Sequence, residues 1–100
     1  MGEKADKPAT RAVRLRITGK VQGVWYRGWT MERAQELELD GWVRNRLDGS
    51  VEVLAVGASE RIDVLIRACH KGPPAARVER VEVMPAQGIT PKGFVQKPTV

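Results

Sequence analysis

Asp48-Gly49, standing between two short runs rich in strand-forming residues, restricts the fold of this chain more than any other feature. Asp followed by Gly admits the positive φ of a tight hairpin turn, so residues 42–47 and 50–56 are expected to be antiparallel neighbours. A hairpin therefore occupies the middle of the sequence, with a helical pattern on each side of it. Downstream, Ile62, Leu65, Ile66 and Cys69 recur at helical spacing, behind Ser59 as an N-cap and ahead of Lys71-Gly72-Pro73 as a stop. Upstream, Thr30, Met31, Ala34 and Leu37 share one stripe while Glu32, Arg33, Glu36 and Glu38 lie outside it. That spacing predicts a helix from after Arg27 to about Leu39, stopped by Asp40-Gly41.

Outside the hairpin, Val13, Leu15 and Ile17 alternate with Arg14, Arg16 and Thr18, the period of a half-buried strand. Val81 and Val83 alternate with Arg80, Glu82 and Met84 in a fourth strand, and Val78 breaks the period, which places a bulge near Glu79. Phe94, Val95 and Gln96 offer a short fifth strand at an edge, after a loop over residues 85–91. The order strand, helix, strand, strand, helix, strand suggests two interlocked βαβ units. The expected architecture is an α+β, ferredoxin-like two-layer sandwich (βαββαβ): an antiparallel sheet of four to five strands with both helices on one face. Residues 1–11 are expected to be a flexible lead, residues 12–97 a single domain, and residues 98–100 a tail.

Charge and residue types exclude several kinds of function. The net charge of +5 invites a nucleic-acid partner, but between Val13 and Met84 twelve Lys and Arg face ten Asp and Glu, so much of the excess sits in the ends. With one Phe and one Tyr there is no paired aromatic motif for stacking bases, and no nucleic-acid partner is expected. No apolar run approaches the roughly 18 residues of a membrane span, so neither membrane insertion nor export is expected and the address is cytoplasmic. Cys69 and His70 are the only cysteine and histidine. That leaves no thiolate cluster or disulfide, and no metal or other cofactor is expected. Cys69 reads as a buried small hydrophobe, and His70 as a residue of a helix end.

The stretch Gly19-Lys20-Val21-Gln22-Gly23-Val24-Trp25-Tyr26-Arg27 follows a strand and precedes a helix. A loop there turns successive N–H groups toward a helix N-terminus, where the helix dipole adds to their attraction for an anion such as phosphate. Gly19 and Gly23 can take positive φ or let an anion approach the backbone, and Arg27 offers a planar fork that fits two phosphate oxygens. Alone, these residues also fit an ordinary strand-to-helix turn with a surface arginine. Asn45 lies on the strand after the first helix, which the expected fold brings to the same end of the sheet. Its carboxamide can hold a water near a phosphate without adding charge, or can serve as a plain polar strand residue.

Taken together, Gly19 to Arg27, Gly41-Trp42-Val43-Arg44-Asn45 and Asp48-Gly49-Ser50-Val51 closely resemble the acylphosphatase family, and the resemblance extends from about Val13 to Phe94. It implies hydrolysis of the carboxyl–phosphate anhydride of a small acyl phosphate by direct attack of water. It further implies that Arg27 binds and orients the phosphate and that Asn45 positions the water. The amides of Val21, Gln22, Gly23, Val24, Trp25 and Tyr26 would cradle the phosphate oxygens. A monomeric, free-standing enzyme acting on a small molecule is expected, and the alternative is a non-catalytic phosphate- or RNA-binding module of the same fold.

Overall fold

The computed structural model describes residues 9–87 and 90–100. Seven elements follow in order: β1 (Thr10–Lys20), α1 (Tyr26–Glu36), β2 (Asp40–Asn45), β3 (Val51–Ala58), α2 (Ser59–Lys71), β4 (Arg77–Pro85) and β5 (Phe94–Gln96). The sheet order is β4-β1-β3-β2-β5. β1 pairs antiparallel with both β3 and β4, and β2 pairs antiparallel with β3. Each helix thus links two strands separated by one other, and the ferredoxin-like arrangement follows.

The sheet is mixed, which corrects the all-antiparallel expectation: β5 runs parallel to β2, with Gly41 opposite Phe94 and Val43 opposite Gln96. The chain beyond β5 stays on that edge. Lys97 N–H donates to Val43 C=O at 2.9 Å, Val100 N–H to Asn45 C=O at 3.2 Å, and Leu47 N–H to Val100 C=O at 2.7 Å. Residues 98–100, expected as a tail, hold the end of β2 because its otherwise free edge offers unpaired backbone groups.

Alternation in β1 sends Val13, Leu15 and Ile17 to the helical side, where they join Val43, Val51, Val53 and Ala55 in one core with Ala34, Ile62, Leu65 and Cys69. Leu15 and Ile17 are fully buried, so truncating either to Ala costs about 2–5 kcal/mol. The expected bulge is present: Thr18 faces Arg80 and Gly19 faces Val78, leaving Glu79 without an opposite residue. Gly19 therefore belongs to the strand rather than to the loop beyond it.

Several boundaries differ from those read off the pattern. β1 starts at Thr10, inside the expected lead, because Thr10 and Arg11 pair with Ala58 and Gly57; residues 1–8 lie outside the described residues. The hairpin turn is longer than two residues. Arg46 N–H donates to Ser50 C=O at 2.9 Å and Gly49 N–H to Arg46 C=O at 3.0 Å, so Leu47, Asp48 and Gly49 form a three-residue loop with Gly at the positive-φ position. In α2, Ser59 is the first helical residue and Ala58 takes the cap position. α1 ends earlier than Asp40-Gly41 because Glu38, at φ 57°, reverses the chain. Glu38 N–H reaches Gln35 C=O at 3.0 Å and Leu39 N–H reaches Ala34 C=O at 2.9 Å, a Schellman closure that frees Leu39 to enter the core. Among the described residues no helix is long and apolar enough to cross a membrane.

Candidate active site

Between the end of β1 and the start of α1, the loop closes over a pocket of about 120 Å³ lined by Val21, Gln22, Gly23, Trp25, Tyr26, Arg27, Gly28, Asn45 and Gln96. Gly23 at φ 74° and Trp25 at φ 68° curl the backbone, and Trp25 occupies the cap position of α1. This cap is unusual, since no side chain closes it and the first turn has no acidic residue. The first intrahelical bond runs from Trp29 N–H to Trp25 C=O at 3.0 Å. The amides of Tyr26, Arg27 and Gly28 thus precede the helical ladder, and they form the positive end of the helix dipole. A helix start left open in this way is suited to an anion.

Two side chains of the loop serve the scaffold. Gln22 Nε2 donates to Arg46 C=O at 2.8 Å and to Ser50 C=O at 2.9 Å, tying the loop to the hairpin beside Asn45. Tyr26 is 2% exposed, and its hydroxyl donates to Cys69 C=O at 2.6 Å, fastening α1 to the last turn of α2. Burial drives the Tyr26 hydroxyl well above its usual range and pushes the Cys69 thiol up to about 12, so both stay protonated at neutral pH. Val21 and Val24 supply apolar contact: Val21 is buried in the core and Val24 packs against it. Of the loop residues expected to bind phosphate, Val24 is the one that does not line the pocket.

Arg27 and Asn45 reach the pocket from opposite layers. Arg27 stands in the first turn of α1 rather than in the loop before it. Among the described residues no carboxylate pairs with its guanidinium. Asn45 ends β2 and, two residues after the buried Val43, shares its face of the sheet. Its Oδ1 is buried and, among the described residues, has no hydrogen-bond partner. Such an acceptor costs about 1–3 kcal/mol, and in a pocket it marks a place where a donor binds.

A family model described as Acylphosphatase matches residues 13–96. The chain belongs to the acylphosphatase family. An acylphosphatase of Rhizorhabdus wittichii is 53% identical over 96 residues, spanning 96% of this chain and 97% of its own length. Among solved structures, an acylphosphatase from Coxiella burnetii superposes with a TM-score of 0.85 at 33% identity, covering 88% of this chain and 93% of that one. An acylphosphatase from Bacillus subtilis gives 0.82 at 30% identity over 89% of this chain and 99% of its own.

Two residues of this acylphosphatase pocket escape a reading of its motifs. Gly28 lies one position beyond the loop motif, on the first turn of the helix. Gln96 arrives from β5, far along the chain, and only the parallel pairing with β2 brings it beside Asn45.

Proposed function

We propose that this acylphosphatase hydrolyses small acyl phosphates at the pocket between α1 and β2, with Arg27 and Asn45 as its catalytic residues. The phosphoryl group sits against the open start of α1, held by the amides of the loop and by the guanidinium of Arg27. Asn45 Oδ1 accepts a hydrogen bond from a water and so fixes its oxygen in line with phosphorus. The P–O bond to the new oxygen forms as the P–O bond to the acyl group breaks, and the electron pair leaves with the carboxylate. The water's proton passes to a phosphate oxygen.

This chemistry asks little of the protein beyond position and charge. A carboxylate has a conjugate-acid pKa of about 4, so it departs without a general acid. A loose phosphoryl transition state is stabilised chiefly by fixed donors and in-line alignment. The observation that carries the reading is the buried, unpaired Asn45 Oδ1 in the same pocket as a guanidinium with no carboxylate partner among the described residues. The single cysteine, free and buried, fits a reducing compartment, and we read the protein as a cytoplasmic monomer.

The test is an assay of the purified chain with EDTA present, comparing benzoyl phosphate with an ordinary phosphate monoester. Cleavage of the anhydride alone is expected, because an alkoxide leaving group needs the acid that this pocket does not supply. Equal cleavage of the monoester, or activity that EDTA abolishes, would sink the mechanism.

A further inference from the structure

The pocket is small. Its volume of about 120 Å³ falls below the roughly 300–1,000 Å³ of pockets that enclose a whole small-molecule ligand, so it suits a phosphoryl group and an attacking water. The acyl group of a bound substrate must therefore lie across the mouth. Of the apolar side chains lining the pocket, Val21 is 1% exposed, Tyr26 2% and Trp25 59%. Among the described residues lining the pocket, Trp25 is the one with a large exposed apolar surface.

The indole is held there by its neighbour. Trp25 has left-handed backbone geometry, φ 68° and ψ 25°, a conformation that non-glycine residues keep only where the surroundings enforce it. Its ring lies over Gly28 in the first turn of α1. A methyl group on Gly28 would stand 2.7 Å from Cε2 and 2.9 Å from Cδ1 of the indole, and closer still to Nε1. Gly28 lies inside α1 and has ordinary helical geometry. Its backbone has no need of glycine, and alanine is the better helix former at such a position. What glycine supplies is the gap that the indole fills.

We propose that Trp25 is the platform for the acyl group and Gly28 the seat that lets its ring lie across the mouth, so that the enzyme favours neutral, apolar acyl groups, aromatic ones above all. This inference rests on the assignment of phosphate to Arg27 and water to Asn45. A planar acyl group stacks on the indole, whereas a second negative charge would meet the electron-rich face of the ring. Among the described residues no carboxylate, lysine or second arginine lines the pocket, and the Gln22 carboxamide is bound to the hairpin. A charged acyl tail would find no partner there.

Benzoyl phosphate and acetyl phosphate carry the same phosphoryl head and differ in the tail, so the ratio of their kcat/KM values reads the platform. With the purified full chain, Trp25→Ala is expected to lower the benzoyl-to-acetyl ratio about 3- to 10-fold, the range of a single aromatic contact. Trp25→Phe is expected to keep most of it. Gly28→Ala leaves the indole in the chain but displaces it, and should lower the same ratio while the melting temperature holds or rises. A ratio unchanged in both alanine variants would overturn the platform and leave the phosphate site standing. Failure of the wild-type chain to cleave either substrate would overturn the site assignment and the platform with it.

Discussion

Two arginines on opposite sides of one sheet illustrate how this fold separates scaffold from site. Arg44, on the helix-free face, donates to Glu52 at 2.8 Å, and Arg46 reaches the same carboxylate at 3.0 Å with Arg14 3.5 Å away. At the hairpin, Asp48 accepts from Ser50 Oγ at 2.6 Å, from Ser50 N–H at 2.9 Å and from Arg16 at 2.9 Å. Every charge in that network has a partner. Around Arg27, by contrast, the helix start is uncapped and the Asn45 acceptor is unpaired. Paired groups stabilise the fold, while unpaired ones at the pocket keep their bonding capacity for a ligand.

That contrast can be broken most sharply at Arg27. Arg27→Ala should lower kcat for benzoyl phosphate by at least ~10²–10³-fold, the loss expected when a fixed transition-state donor is removed. It should also weaken inhibition by inorganic phosphate. Arg27→Lys should recover little, because an ammonium lacks the planar fork. Near-normal turnover in either variant would remove Arg27 from the mechanism.

Asn45→Ala should cost comparable turnover and yet retain phosphate binding, measured by calorimetry. Because it deletes an unpaired buried acceptor, its thermal midpoint should hold or rise. A large drop in stability would assign Asn45 to the scaffold instead. Tyr26→Phe probes the other side of the comparison: losing the bond to Cys69 should lower unfolding free energy by about 1–2 kcal/mol in urea titrations. Its effect on kcat should be far smaller than that of Asn45→Ala.

The smallest effect is expected from the charge network itself. Glu52→Gln should destabilise the chain by ~1 kcal/mol, a modest figure because the guanidinium partners are partly solvated. Both Asp48 and Glu52 are held below the usual carboxylate range. Ser50 and then Arg16 do so for Asp48, and Arg44 with Arg46 outweigh burial for Glu52. Groups depressed in the folded state add stability above the unfolded carboxyl pKa of about 4 and lose it as pH falls through their folded values. Urea midpoints should therefore fall as pH drops below about 4, and Glu52→Gln should flatten that slope; an unaltered slope would mean the network contributes nothing measurable.

Patterns that act over one turn or one strand were legible in the chain itself. The apolar spacing of α2, the alternation of β1, the hairpin at Asp48-Gly49 and the bulge at Glu79 each depend on neighbours a few residues away. The loop from Gly19 to Arg27 and Asn45 stood out as motifs for the same reason. Their meeting did not follow from spacing alone. The early end of α1 was hidden because Glu38, a non-glycine residue, takes left-handed geometry once Leu39 finds the core.

Amino-acid order by itself determined which segments are strands and helices, and which residue types carry charge or a carboxamide. Tertiary structure decided that the edge of β2 is closed by a parallel β5 and by residues 98–100, which brings Gln96 to the pocket. It also decided that Gln22 clamps the hairpin, that Asn45 Oδ1 is left without a partner, and that Trp25 lies over Gly28. The reason is physical: periodicity reports the backbone's local preferences, whereas the satisfaction of a buried polar atom or the seat of an indole depends on residues distant in the chain. Those are contacts that only the closed fold creates.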